Sequence, residues 1–214
     1  MSQEWDGAGR AVPGMKPRDD VVEQEHLLAA SERLVAGRPA AVTLWFTGLP
    51  GAGKTTLAMH LEARLVRRGI PAFALDGDNL RHGLCAGLGF SDADRGENIR
   101  RTAEVCRLFN EAGVVAISAL VSPLAAQRAM ARCIVGPSRF VEIHVATPLA
   151  VCEARDPKGL YRRARQGTLQ GLTGVDGAYE VPAEPALRVD TSIGSIDDAL
   201  RAIEALLASR SKEY

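Results

Sequence analysis

No stretch of this 214-residue chain approaches the roughly 18 unbroken apolar residues of a membrane span. The opening MSQEWDGAGRAVPGMKPRDD places charges and glycines where a secretory signal would carry its apolar segment. An excess of one charge is missing too. Lys and Arg total 26, as do Asp and Glu, so nothing favours a nucleic-acid binder or a polybasic membrane protein. Cysteine is sparse: Cys85, Cys106, Cys133 and Cys152 form no C-x-x-C pair, and the four histidines do not cluster with them. That spacing argues against a zinc site, and a reducing cytosol argues against disulfides. The four read as small buried hydrophobes. Internal repeats and low-complexity tracts are absent as well. A cytoplasmic protein without nucleic-acid or membrane partners is the expectation.

What is present fits one ordinary globular domain: 46% hydrophobic and 24% charged residues over a length that can bury a full core. Residues 1 to about 20 read as a mobile tail, and 21–36, VVEQEHLLAASERLVA, as a helix stopped by Gly37. This leader, 1–38, precedes a main domain over 39–214. Apolar runs at 41–47, 71–75, 114–121, 140–146 and 186–189 read as strands with helical patterns between them. In the first helix Leu57, Leu61 and Leu65 recur every four residues, and Gly69 closes it. The segment 91–112 opens on a capping-box pattern, Ser91-Asp92-Ala93-Asp94, and sets Ile99, Ala103, Cys106 and Phe109 on one face. The segment 195–208 is amphipathic too. Continuous apolar strands alternating with helices predict an α/β fold, a parallel sheet covered on both faces. One stretch stands apart: 155–185, RDPKGLYRRARQGTLQGLTGVDGAYEVPAEP, is polar, Arg-rich and Gly-rich, and reads as a lid.

The chemistry begins at GLPGAGKTT, residues 48–56, directly after the first strand. Gly48-x4-Gly53-Lys54-Thr55 matches the phosphate loop in full and in its strand–loop–helix setting. Its glycines let backbone N–H groups point at one anion, and the helix start adds its positive end. Lys54 is expected to reach the β- and γ-phosphates and Thr55 to ligand Mg²⁺. The loop alone does not choose between a switch, a motor and a kinase. A guanine-reading Asn-Lys-x-Asp is absent, and the third strand lacks the terminal Asp of many ATPases. Asp156-Pro157-Lys158-Gly159 fits D-x-x-G but falls in the lid, far downstream, so it reads as coincidence.

The acid sits instead on the second strand, which runs into Asp76-Gly77-Asp78-Asn79. Strand ends border the ligand crevice in open parallel sheets, so Asp76 and Asp78 should lie by the phosphate loop. Transfer to an alcohol needs a carboxylate for the hydroxyl proton and oxygen ligands for Mg²⁺. D-G-D-N is also good turn and helix-cap sequence. Arg81 follows one turn on, and Arg95 and Asn98 share a helix face. Arginines suit an anionic acceptor. Glu97 can pair with Arg100 or Arg101 as a surface salt bridge. Phe90 is either a base-stacking ring or a core anchor, and the core is the safer reading for a lone Phe.

DGDNLRHGL, LGFSDADRGENIRR, ISALVSP and CEARDPKGLY, in this order, resemble adenylyl-sulfate kinases, and the resemblance runs from about residue 40 to 205. The resemblance implies a P-loop kinase three-layer fold: a five-stranded parallel sheet, helices on both faces and a mobile lid. It implies ATP and Mg²⁺ as cofactors, and transfer of the γ-phosphate to the ribose 3′-hydroxyl of adenosine 5′-phosphosulfate, in sulfate assimilation. Gly48, Leu49, Pro50, Gly51, Ala52, Gly53, Lys54, Thr55 and Thr56, with Arg155, would bind ATP. Lys54, Asp76, Asp78 and Ser122 would form the catalytic set, with Thr55 and Asp76 at the metal. Arg81, Phe90, Arg95, Asn98, Lys158, Leu160 and Leu172 would hold the acceptor. A homodimer is implied, and a sulfurylase is a candidate partner.

Ser122 matches a serine described in the family as a phosphoserine intermediate. Ser122-Pro123 also looks like a helix N-cap followed by an N1 proline, and in-line transfer requires no covalent intermediate. Leu172-Thr173-Gly174 departs from the family's usual Phe-Thr-Gly, and Gly177-Ala178 from its Ser-Pro. Two other readings stand: a small-metabolite kinase with a sugar-acid or shikimate-like acceptor, and a nucleotide-binding regulatory subunit. The segment LGFSDADRGENIRR speaks against the first, and the intact Lys54, Thr55, Asp76, Asp78 and Arg81 against the second.

Overall fold

The computed structural model describes residues 41–210. The tail and helix expected over 1–38 lie outside them. Five strands form one parallel sheet: β1 (Thr43–Thr47), β2 (Ala72–Asp76), β3 (Val115–Ala119), β4 (Phe140–Val145) and β5 (Leu187–Val189), in the order β2-β3-β1-β4-β5. Four lie within apolar runs predicted from the sequence, trimmed at one or both ends, and β2 starts one residue later than its run and continues one past it, through Asp76. The central strands β1 and β3 are buried along their whole length, while the edge strands β2 and β5 begin half-buried or exposed. Continuous apolar composition in the middle of a parallel sheet has this cause: both faces are covered.

Alternation along the strands sorts side chains between two cores. Leu44 and Phe46 of β1 face a cluster built with Leu57, Leu61 and Leu65 of α1 (Lys54–Arg67) and Leu200, Ile203 and Leu207 of α7 (Ile196–Arg210). Trp45 faces the other side, with Ile99, Ala103 and Cys106 of α3 (Asp92–Glu111) and Ala131, Ile134 and Val135 of α4 (Ala125–Val135). Three layers result, and the leucines and the Ile99 face perform as their spacing predicts. Ser91 caps α3 as expected, its Oγ accepting the Asp94 N–H at 3.1 Å.

Two features differ from the sequence pattern. Helix α4 begins at Ala125, so Ser122-Pro123 is not its N-cap and first residue. Ser122 instead takes a left-handed backbone, φ 37°. The polar stretch 155–185 is not all loop: α5 (Leu149–Arg155) ends in it and α6 (Leu160–Arg165) lies within it. Asp156 joins the two, its carboxylate accepting the N–H groups of Tyr161 and Arg162 at 3.0 Å each. The D-x-x-G match there is thus a capping arrangement, in keeping with its reading as coincidence.

Candidate active site

The carboxyl ends of the strands open onto a cleft of about 1090 Å³, the crevice where open α/β sheets bind ligands. That exceeds the roughly 300–1,000 Å³ of a pocket for one small molecule. Every residue singled out from the sequence lines it except Gly48, Leu49 and Ala52, which form the turn at its floor.

The phosphate loop demands its glycines. Gly51 and Gly53 take φ of 74° and 96°, and a Cβ on Gly48 would fall 2.4 Å from the Val145 carbonyl oxygen. The Ala52 carbonyl accepts two hydroxyls, from Thr147 at 3.0 Å and Thr191 at 2.9 Å. Arg155 donates to the Thr191 hydroxyl and carbonyl at 2.7 and 2.8 Å, tying the end of α5 to this brace. Thr147 and Thr191 were missed in the sequence. Each stands two residues past a strand end, which was the available signal.

Lys54 is buried and donates to the carbonyls of Gly48 and Leu49 at 2.9 and 2.8 Å. Burial pulls its ammonium down from 10.5 to about 8, and the Asp76 charge opposes that fall. Thr55 Oγ1 donates to Asp76 Oδ2 at 2.6 Å. The other Asp76 oxygen accepts the N–H groups of Asp78 (3.0 Å) and Asn79 (3.4 Å), capping the short helix α2 (Gly77–Arg81). The two readings of D-G-D-N are thus divided. Asp76 makes the cap while holding Thr55, and Asp78 stands half-exposed in contact with Lys158 Nζ.

At the other end the Phe90 ring is 66% exposed, so it is no core anchor. The guanidinium carbons of Arg81 and Arg95 lie 4.3 and 5.5 Å from its centroid. Arg81 also donates to the carbonyls of Leu88 (3.0 Å) and Gly89 (2.7 Å), and Arg95 to those of Phe90 (2.9 Å) and Gly171 (3.3 Å). Burial, then the charge of Arg81, pulls Arg95 below its ordinary value. Asn98 is 3% exposed and its Nδ2 has no partner within the protein. A buried donor in that condition costs about 1–3 kcal/mol unless a ligand or water takes it. Glu97 pairs with both Arg100 and Arg101 at 2.8 Å, the surface arrangement expected of them.

Ser122 is 2% exposed, and its Oγ accepts the Trp45 indole N–H at 3.1 Å. Leu160 is half-buried against the α1 core, and Leu172 is buried within it. One end of the cleft can therefore take an anion in a glycine loop, and the other a flat ring carrying negative charge. A carboxylate, Asp78, is available on the same cleft.

Comparison with known proteins agrees with this geometry. The family model described as Adenylylsulphate kinase matches residues 40–190. The adenylyl-sulfate kinase of Shewanella amazonensis is 50% identical over 189 residues, 88% of this chain and 96% of that one. Among solved structures, the APS kinase of Mycobacterium tuberculosis in complex with AMPPNP and APS shares 46% identity at a TM-score of 0.76. That match covers 79% of this chain and 99% of the other. A hexameric APS kinase from Thiobacillus denitrificans shares 34% identity at a TM-score of 0.63, covering 81% of this chain and 30% of that one.

Proposed function

The chain belongs to the adenylylsulphate kinase family, and from that premise we propose that it makes 3′-phosphoadenylyl sulfate from ATP and adenosine 5′-phosphosulfate. The observation that carries the reading is the two-ended cleft: phosphate loop with Lys54 at one end, exposed Phe90 flanked by two guanidinium groups at the other. The loop N–H groups and Lys54 hold the β- and γ-phosphates of ATP. Phe90 stacks the acceptor's adenine, Arg81 and Arg95 face its anionic groups, and the free Asn98 Nδ2 finds its acceptor there.

Thr55 Oγ1 and Asp76 Oδ2 are adjacent hard oxygens, a donor pair that suits Mg²⁺ when phosphates and water complete its shell. Among the described residues no three His, Cys, Asp or Glu side chains converge on a metal-sized site, so the protein's share of that shell is small. Bound there, Mg²⁺ would supply positive charge against the phosphate oxygens. Asp78 accepts the proton of the 3′-hydroxyl as its oxygen attacks the γ-phosphorus. The bond to the β–γ bridging oxygen breaks, and ADP leaves. Lys158 must first release Asp78, and the 155–185 segment, as a lid, then excludes water. Ser122 needs no covalent part in this transfer, since positioning and charge stabilisation suffice. Its Oγ accepts the Trp45 indole N–H.

We also propose a cytoplasmic homodimer, with the sulfurylase as a candidate partner. The hexameric relative supports an assembly of more than one copy, and sedimentation of the purified chain decides it. Activity is tested by product identification with ATP, Mg²⁺ and adenosine 5′-phosphosulfate, with gluconate and shikimate as parallel acceptors. ADP released in step with 3′-phosphoadenylyl sulfate supports the reading. ATP binding without transfer to any of the three overturns it in favour of a regulatory subunit.

A further inference from the structure

Arg128 is 4% exposed, lies in the first turns of α4 and takes no part in the chemistry above. Its guanidinium is surrounded by acceptors from three stretches of chain. Nη1 donates to the carbonyls of Ser122 (2.9 Å) and Pro123 (3.1 Å), and Nη2 to that of Glu180 (2.7 Å). Nε lies 2.7 Å from Glu142 Oε1 on β4. That contact is an ion pair without hydrogen-bond alignment, since the same oxygen finds no hydrogen-bond partner. A buried guanidinium is costly unless it is both neutralised and hydrogen-bonded, and here it is both.

Glu180 and its neighbour Tyr179 are fixed from other sides too. The Glu180 N–H donates to the Pro123 carbonyl at 2.8 Å, and its Oε2 accepts the Ala125 N–H at 2.6 Å, where the α4 dipole favours a carboxylate. Tyr179 shares a hydrogen bond with Thr47 Oγ1 at 3.1 Å and stacks on His144. None of these bonds ends within the phosphate loop: the nearest stops at Thr47, at its threshold. The loop's own ties run to Thr147, Thr191, Arg155 and Tyr161. The Ser122 turn that Arg128 grips has a sparsely populated backbone, which persists only where the surroundings over-determine it.

We propose that Arg128 is a positioning residue. It clamps the Ser122 turn to the end of the segment that carries Leu172 and Thr173, so that the acceptor half of the cleft keeps its shape. The phosphate loop beyond Thr47 is held by its own ties instead. The inference rests on the functional reading above for which half takes the acceptor.

The test compares the full-length wild type with Arg128→Gln and Arg128→Lys in three measurements. These are phosphate transfer from ATP to adenosine 5′-phosphosulfate, calorimetric binding of ADP, and amide hydrogen exchange. Displacement by about an ångström costs on the order of a hundredfold in rate. The Gln variant is therefore expected to lose roughly ten- to a hundredfold in kcat and to raise the acceptor KM about tenfold. Its ADP affinity stays within about twofold. The Lys variant, keeping the charge but not the fork, recovers part of the loss. Exchange quickens at 121–122 and 171–180 and is unchanged at 51–55. Equal weakening of ADP and acceptor, or unchanged transfer in a folded variant, overturns the proposal. Where Arg128→Gln does not fold, Tyr179→Phe takes its place: a selective several-fold rise in acceptor KM supports the clamp, and no change overturns it. A wild type inactive with this acceptor removes the functional reading instead, and the exchange pattern still decides the clamp.

Discussion

At the phosphate-loop end of the cleft Lys54 is buried and bonded to its own loop, and two threonine hydroxyls hold the Ala52 carbonyl. At the Phe90 end the ring faces solvent, the two arginines hold main-chain carbonyls, and the Asn98 amide donor has no protein partner. The first end has its loop backbone fixed within the protein, and only Lys54 has to turn from its carbonyls to a phosphate. At the second, Asn98 and the Phe90 ring are open to an acceptor, but Arg81 and Arg95 must both be redirected from main-chain carbonyls. On the proposed reading this difference would separate the two affinities: the donor end would reorganise one side chain and the acceptor end two, so selectivity would be set at the latter.

The largest expected effect breaks the pairing of the two aspartates. Asp78→Asn should lower kcat by roughly 10²–10⁴ while ADP binding stays intact, as removal of a proton acceptor does. Asp76→Asn should instead raise the Mg²⁺ concentration needed for half-maximal rate and disturb α2. Steady-state rates across a Mg²⁺ titration separate the two; the same phenotype in both would erase the division of roles. Next comes Phe90→Ala, which should cost about 1–3 kcal/mol of acceptor binding, as base–aromatic stacking does. That appears as a rise in the acceptor KM alone, and an equal rise for ATP would join the two ends into one site.

A smaller effect belongs to Lys54. Its pKa of about 8 lies above neutral pH, so the ammonium is largely formed at pH 7 and is lost as pH rises through 8. Phosphate oxygens favour the charged form and raise that pKa on binding. Nucleotide binding should therefore take up a proton above about pH 8, with affinity falling by up to about tenfold per pH unit until the bound-state pKa is reached. Calorimetry in buffers of different ionisation enthalpy measures the uptake, and Lys54→Met should abolish it. The smallest change comes from Leu172→Phe, which restores the family's residue. Leu172 is 6% exposed among core side chains, so the larger ring should destabilise by about 1–3 kcal/mol. The readout is a lower melting temperature, with little gain in acceptor binding. A sharp fall in acceptor KM would show that the ring reaches the acceptor.

The fold was legible where burial is simple. Strands covered on both faces read as unbroken apolar runs, and α3 announced itself through Ser91 and its Ile99 face. Short elements were not: α2 spans five residues and α6 six, too few for a helical period to show. In the site, the phosphate loop and D-G-D-N carried local signals, because their chemistry is confined to neighbouring residues. The core reading of Phe90 failed because a lone aromatic is taken as core by default, and its exposed ring between the Arg81 and Arg95 guanidinium groups is visible only in the fold. Arg128 and Glu180 lie far apart in the chain and leave no periodic trace, so their clamp appears only once the chain is folded. The start of α4 was misplaced for a related reason. Ser-Pro is sound capping sequence, and long-range bonds to Trp45 and Thr47, with a nearer one from Arg128, hold it in another conformation.

The position of β1 bears on how the protein is made. Thr43 pairs with Ala116 on one side and Phe140 on the other, so the strand leading into the phosphate loop sits at the centre of the sheet. During synthesis this strand leaves the ribosome early and waits for both neighbours, the second of which comes much later in the chain. Non-local parallel pairing of that kind is slow and leaves apolar strands open meanwhile. A nascent chain stopped before Phe140 would carry the whole glycine motif with one flank of its strand bare. Nucleotide, binding the completed sheet and not the waiting strand, would draw the last step of assembly forward by mass action. The substrate would then serve, before any turnover, as a chaperone for the site that uses it.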